Sequence, residues 1–374
     1  MSEPALVCIT TGERYSTDEP RWCSASGGLL DLEWTPLFDP EKIRWRPPSL
    51  WRYREALPIR DDRNIVSLGE GFTPLVPFRV AGRELLVKLD YLFPTGSYKD
   101  RGASVLISKV KELGIRHVVQ DSSGNAGCAV AAYAALAGIS CEIFVPESTS
   151  EAKLTQIRLA GAELHRVPGN REATARAAFV RAQDVYYASH CWNPYFLQGT
   201  RTFAFEVWEQ LSWKAPGTVI VPAGNGTLLL GAWLGFRELL AAGFVDRMPA
   251  LVAVQSAACA PIAEAVLRPG SRTLPAISPG HTIAEGIAIA EPVRWQAMVR
   301  AVQESGGSVI TVDDRQIIDA LKQMCGRGYY IEPTAAAAIA GTVKFLGESD
   351  AREPIVTVIT GHGLKATEKM TALL

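Results

Sequence analysis

The stretch Phe93-Pro94-Thr95-Gly96-Ser97-Tyr98-Lys99-Asp100-Arg101-Gly102 decides how the rest of the chain is read. Pro94, Gly96 and Gly102 bracket one lysine at a tight turn, and from Lys99 onward Ala103, Leu106, Ile107, Val110 and Leu113 recur at helical spacing. Lys99 therefore falls in the first turn of a helix predicted over 99–113. The amides of a helix N-terminus carry partial positive charge and disfavour an ammonium beside them. A lysine so placed can be held near neutrality and used as a nucleophile toward a carbonyl. Taken alone, the stretch equally allows a solvated surface lysine next to Asp100 and Arg101.

Outward from this turn, strands and helices alternate. Residues 84–90 read as a strand running into the turn, and 117–121 as the strand after the helix. The turn Ser122-Ser123-Gly124-Asn125 opens an alanine-rich helix stopped at Gly138, followed by a strand over 140–145. Helices near 150–160 and 171–183 flank a short strand at 163–167. Helix 197–211 leads to strand 218–221 and the loop Ala223-Gly224-Asn225-Gly226-Thr227, with another helix behind it. Further strands are predicted at 251–255, 308–312 and 355–360, with helices near 291–304, at 314–324 and from Pro333. Such alternation predicts an α/β fold of parallel sheets covered by helices, with ligands at the C-terminal ends of the strands.

A length of 374 residues exceeds what one hydrophobic core usually serves, so two domains are expected. The apolar fraction of 48% is ample for burial. A net charge of -1, with both signs spread along the chain, gives no electrostatic footprint for nucleic acid or an anionic membrane. Small neutral or zwitterionic partners stay open. The N-terminus lacks the basic and apolar regions of a signal peptide, and no apolar run is long enough to span a membrane. Seven scattered cysteines do not look like a disulfide framework and suit a reducing cytoplasm.

Before the decisive turn the chain is irregular. Cys8 and Cys23 each begin a short turn-like element, as in a zinc ribbon, but a ribbon would also place cysteine at Thr11 and near Ser26. Two thiols do not make a tetrahedral site, so residues 1–34 are read as a degenerate, metal-free ribbon, the alternative being an irregular arm with two buried cysteines. Residues 34–82 are rich in Trp, Arg and Pro; Trp45, Trp51 and Tyr53 are expected to pack an extended arm, and Gly69-Glu70-Gly71-Phe72-Thr73-Pro74-Leu75 to form a turn.

Four strand-end loops carry polar groups. Ala223 to Thr227 offers unobstructed backbone N–H groups at a helix start, a cradle for phosphate, although no Gly-Lys-Ser/Thr follows to make it a nucleotide P-loop. In the second loop the Ser122 and Ser123 hydroxyls and the Asn125 amide can reach a carboxylate or a phenolic oxygen, or else cap the helix. The third, Thr360-Gly361-His362-Gly363, presents a hydroxyl able to face a ring nitrogen, and the fourth is the Lys99 turn. A lysine, an anion cradle, an amide and a hydroxyl are what an aldehyde cofactor with a phosphate, a phenolic oxygen and a pyridine nitrogen requires.

With these residues in hand, the chain resembles the fold-type II pyridoxal-phosphate enzymes, most closely their threonine synthase branch. The likeness lies in Phe93 to Gly102, Asp121 to Gly127, Asn193-Pro194 through Thr202, Pro222 to Gly226, Glu332-Pro333 and Thr360 to Lys365. It implies two three-layer parallel-sheet domains with the cofactor in the cleft between them: 35–102 with 198–374 as the large cofactor-binding domain, and 103–197 as the small substrate-side domain. It further implies pyridoxal phosphate joined to Lys99 as a Schiff base, Asn125 on its phenolic oxygen, Gly224, Asn225, Gly226 and Thr227 on its phosphate, and Thr360 on its ring nitrogen. A lyase acting on O-phosphohomoserine, cytoplasmic and homodimeric, is the expected protein.

Some residues depart from the branch. Phe196 stands where an arginine commonly meets the substrate phosphate, Ala126 where a hydroxyl often assists, and Tyr98 replaces a more usual phenylalanine. Arg201, close by in sequence, is the candidate substitute, with Ser122 and Ser123 as the other substrate-binding residues. The departures keep a second activity open: a serine or threonine dehydratase, or a β- or γ-replacement enzyme of cysteate synthase type. A non-catalytic relic of the fold is the remaining alternative.

Overall fold

The computed structural model describes residues 3–149, 151–169, 171–371 and 373, with only the backbone of residues 152 and 153; position 150, expected to start a helix, lies outside this set. In chain order the strands are β1 (Ala5–Cys8), β2 (Arg14–Ser16), β3 (Leu30–Glu33), β4 (Leu75–Val80), β5 (Arg83–Lys88), β6 (His117–Gln120), β7 (Ser140–Pro146), β8 (Glu163–Val167), β9 (Tyr186–Tyr187), β10 (Thr218–Pro222), β11 (Ala250–Ser256), β12 (Ser308–Val312) and β13 (Ile355–Val358). The chain forms two compact units, one of residues 1–71 and 99–200, the other of 72–98 and 201–374.

In the first unit a parallel sheet runs β8-β7-β6-β9, and a small antiparallel sheet runs β2-β1-β3. The N-terminal segment is more than an irregular arm. Leu6, Cys8, Trp22 and Leu30 share one core with Val118, Val119, Ile143 and Tyr187, and the Trp22 ring packs edge-on against Phe179, Tyr187 and Trp192 at 5.3, 5.1 and 5.9 Å. The Cys8 thiol is hydrogen-bonded by the Thr11 and Ser24 side chains, which lower its pKa to about 7, and Ser24 Oγ lies 2.9 Å from Ser26 Oγ. Hydroxyls thus stand around Cys8 where a ribbon has further thiolates. Among the described residues no group of three or more His, Cys, Asp or Glu side chains is arranged to hold a metal.

Residues 35–71 belong with this unit because they wrap the helix Lys99–Glu112. The Trp51 indole N–H reaches Glu70 Oε1 and Ser104 Oγ, both at 3.1 Å; the N–H of Val66 donates to Ser108 Oγ at 2.8 Å; and Glu112 Oε1 accepts from the Arg60 N–H at 2.7 Å. Of residues 35–102, which the sequence places in the other unit, 72–98 lie there, whereas 35–71 and 99–102 belong to this one, tied together by these hydrogen bonds. Trp51 and Tyr53 pack as expected, but Trp45 is 90% exposed.

In the second unit a six-stranded sheet runs β12-β11-β10-β13-β5-β4, parallel except for the antiparallel edge strand β4. β4 contains Pro77, whose missing N–H is tolerated on an edge, so a proline that reads as a turn sits inside a strand. The inner strands β10, β11 and β13 are buried along their whole length, consistent with their continuous apolar sequences. No described helix is long and apolar enough to cross a membrane.

Candidate active site

The residues selected from the sequence divide between the two units. In the first, Lys99 is the first residue of its helix, and its Nζ lies 5.8 Å from the centroid of the Phe196 ring. Phe196 is fully buried in the helix Pro194–Thr200. A Cβ on Gly102 would sit 2.3 Å from Phe196 Cε1, and one on Gly199 would sit 1.9 Å from the Arg101 carbonyl oxygen, so both glycines are required for the two helices to approach. Phe196 thus forms an apolar wall beside the lysine amine.

His190, which sequence reasoning passed over, lies behind this wall, 6.0 Å from the Phe196 ring and buried. Burial drives its pKa well below the ordinary histidine value, and the charges of Lys99 and Arg171 push the same way, so the imidazole is neutral. Its signal in the sequence was position alone: it follows β9, the strand beside β6, at whose end the serine loop begins. Asp121, the first residue of that loop, has its pKa raised by burial, partly opposed by Arg171 and Tyr187.

The serine loop is shaped by backbone contacts. Gly124 caps the helix Asn125–Ala137 without a side-chain hydrogen bond, while Ser122 Oγ accepts from the Gly124 N–H at 3.3 Å. A Cβ on Gly127 would meet the Ser122 carbonyl oxygen at 1.8 Å. Ser122 is buried, Ser123 and Asn125 are half-buried, and Ala126 sits in the first helical turn. His117 and His165, without ligand-like spacing in the sequence, both approach Glu142, at 2.8 and 3.1 Å, as part of an ion-pair cluster with Arg181.

In the second unit, β10 delivers the chain into the 223–226 loop and the helix Thr227–Ala241. Gly226 has φ +70° and caps this helix with no side-chain hydrogen bond. A Cβ on Gly224 would lie 2.6 Å from the Gly286 carbonyl oxygen, and one on Gly226 would lie 2.5 Å from Met298 Sδ. Neither Gly224 nor Gly226 has room for a side chain, and the turn they make lies at a helix N-terminus, where aligned amides favour an anion. Thr360 follows β13 and is buried, and its Oγ1 has no hydrogen-bond partner among the described residues. Such an orphaned hydroxyl is costly unless something supplies its partner.

Three of the remaining positions have structural partners. Arg201 is buried and paired through Nη1 with Glu238. Glu332 precedes the helix Pro333–Glu348, and its Oε1 occupies the space where a Cβ of Gly361 would be, 2.2 Å away. Lys365 Nζ donates to the Thr95 carbonyl at 2.8 Å, holding the end of the decisive turn.

Residues 66–361 match the family model described as pyridoxal-phosphate dependent enzyme. The threonine synthase of Methanocaldococcus jannaschii is 37% identical over 373 residues, covering 96% of this chain and 92% of that protein. The threonine synthase of Methanosarcina acetivorans is 34% identical over 374 residues, with the same coverage of 96% and 92%. Among solved structures, the processed form of threonine deaminase isoform 2 from Solanum lycopersicum superposes with a TM-score of 0.70 at 20% identity, covering 93% of this chain and 92% of that one. Maize serine racemase gives 0.68 at 23% identity, over 81% and 91%. These two likenesses speak for the fold alone.

Proposed function

The chain belongs to the pyridoxal-phosphate dependent enzymes and, among them, to the threonine synthase family, and from that premise we propose that it converts O-phosphohomoserine and water to threonine and phosphate. The similarity over nearly the whole length of two threonine synthases is the observation that carries the substrate. The fit to the cofactor rests on the chain's own residues. Thr360 Oγ1 is a buried hydroxyl with no hydrogen-bond partner among the described residues, and the 223–226 loop puts two glycines, packed too closely for a Cβ, at a helix N-terminus.

When bound, pyridoxal phosphate supplies an electron sink for charge that develops on the substrate carbons. The backbone N–H groups of Gly224, Asn225, Gly226 and Thr227 are assigned to its phosphate, the Asn125 amide to its phenolic oxygen and Thr360 to its ring nitrogen. A threonine hydroxyl, unlike an aspartic acid, does not hand that nitrogen a proton, so control of protons falls to Lys99. The Lys99 amine is assigned to hold the cofactor and to move protons at the substrate's Cα and Cβ. Ser122 and Ser123 are assigned to the substrate's oxygens. In the balanced reaction the Cγ–O bond breaks and phosphate leaves with the bonding pair, Cβ gives up one proton while Cγ gains one to become a methyl group, and water's hydroxyl joins Cβ while its remaining proton goes to the phosphate. The wall formed by Phe196 keeps bulk water from the amine on one side.

Turnover in oxygen-18 water tests the reading: phosphate and threonine should appear in equal amounts, with the label in the threonine hydroxyl. Loaded enzyme that releases neither does not use this substrate. A second reading, dehydration of serine or threonine or a β- or γ-replacement, is favoured by three observations. Phe196 offers no charge, Ala126 no hydroxyl, and the Arg201 guanidinium is already paired with Glu238. It predicts keto acid and ammonia from serine or threonine, or a substituted product when a nucleophile is supplied. We propose further that the protein is a cytoplasmic homodimer, which measurement of its mass in solution by sedimentation and cell fractionation would check.

A further inference from the structure

Tyr98 immediately precedes Lys99, and its phenolic oxygen lies 3.0 Å from Thr227 Oγ1. Thr227 is the buried first residue of the helix behind the glycine cradle, whose cap offers no side-chain hydrogen bond. The backbone of Tyr98 is fixed independently. Ser97 and Gly361 form an antiparallel bridge, flanked by hydrogen bonds from the Tyr98 N–H to the Thr360 carbonyl at 3.0 Å and from the His362 N–H to the Gly96 carbonyl at 2.9 Å. That register sets Tyr98 opposite Thr360, on the face away from Ser97. One residue is therefore held by its backbone beside the orphaned Thr360 hydroxyl and by its side chain at the cradle.

Either hydroxyl of the Tyr98 and Thr227 pair can donate to the other. A phosphate oxygen only accepts, so its arrival selects the arrangement in which the Tyr98 O–H donates to Thr227 Oγ1 and the Thr227 O–H is left for the phosphate. We infer that Tyr98 is a positioning residue for the cofactor phosphate, aiming the Thr227 proton into the cradle. This rests on the assignment of the 223–227 loop to the phosphate. A phenylalanine at 98 would fill the same space and remove the hydrogen bond that orients the Thr227 hydroxyl.

The test titrates apo-protein with pyridoxal phosphate and records the phosphorus NMR signal of the bound cofactor. Tyr98→Phe should raise the dissociation constant about three- to tenfold and move the phosphorus resonance, as expected for one hydroxyl contact, while the apo-protein melts as the wild type does. In a Thr227→Val background, Tyr98→Phe should add no further loss, because the two act through one contact. An unchanged constant and resonance in Tyr98→Phe, or losses that simply add, would overturn the inference while leaving the cradle intact. A wild-type phosphorus signal identical to that of free cofactor would remove the cradle assignment and the inference together. Should Tyr98→Phe fail to fold, Thr227→Ser against Thr227→Val decides: the serine, keeping the hydroxyl, should retain the resonance and affinity that valine loses, and equal losses in both would overturn it.

Discussion

The polar loops of the two units are built on different principles. In the second unit the 223–227 loop and the segment around Thr360 are fixed by backbone: a turn whose two glycines leave no room for a Cβ, a helix start, and a hydroxyl beside a bridge between two segments. In the first unit the surroundings of Lys99 are set by side chains: Phe196 as a wall, His190 neutral beside it, and Asp121 half-buried after β6. Backbone cradles depend on glycine and resist substitution. Side-chain walls can be exchanged one residue at a time. The contacts assigned to the cofactor's phosphate and ring nitrogen thus rest on backbone-fixed segments, and the setting of Lys99 and of the substrate on exchangeable side chains.

Substitutions that strike one region without the other test this contrast. Lys99→Ala carries the largest expected effect, a loss of turnover of at least about a thousandfold, with loss of the visible band of the bound cofactor in an absorption spectrum. Phe196→Ala should destabilise the first unit by about 3–4 kcal/mol in denaturant unfolding, because it leaves a cavity against Gly102, yet the cofactor band should persist in the folded protein. Gly224→Ala should do the reverse. Its Cβ meets the Gly286 carbonyl oxygen, so cofactor affinity in an apo-protein titration should fall about 10- to 100-fold while the first unit keeps its stability.

The smallest effect concerns pH. Hydrogen bonding and charge from Arg181, with the charges of His117 and His165, hold the Glu142 carboxyl below its ordinary pKa. A depressed carboxylate contributes stability that is present above its unfolded pKa and disappears as pH falls through its folded pKa. Glu142→Gln should therefore cost about 1–2 kcal/mol near neutrality, and its unfolding curve should converge with the wild type's in acid. Equal costs at both pH values would contradict the assigned cause.

The alternation of strands and helices was legible because the inner strands are continuous apolar runs and the helices end at glycine, as at Gly138. The glycine turn before the helix Thr227–Ala241 was legible for a related reason, since glycine marks places where side chains do not fit. Other features left no local signal. β4 was hidden by Pro77, harmless only because the strand lies on an edge, and β9 is two residues long. The attachment of residues 35–71 to the helix that Lys99 begins depends on contacts such as Trp51 with Ser104, distant in sequence. His190 was invisible for the same reason: its role comes from burial beside Phe196 and Lys99, not from spacing.

The account depends most on Lys99, the one residue asked both to hold the cofactor and to move protons. Borohydride reduction of the protein loaded with pyridoxal phosphate, followed by proteolysis and peptide mass mapping, tests this directly. The account predicts one reduced pyridoxyl adduct, on Lys99. An adduct on another lysine such as Lys88 or Lys365, or no adduct on a protein that binds the cofactor, would contradict it.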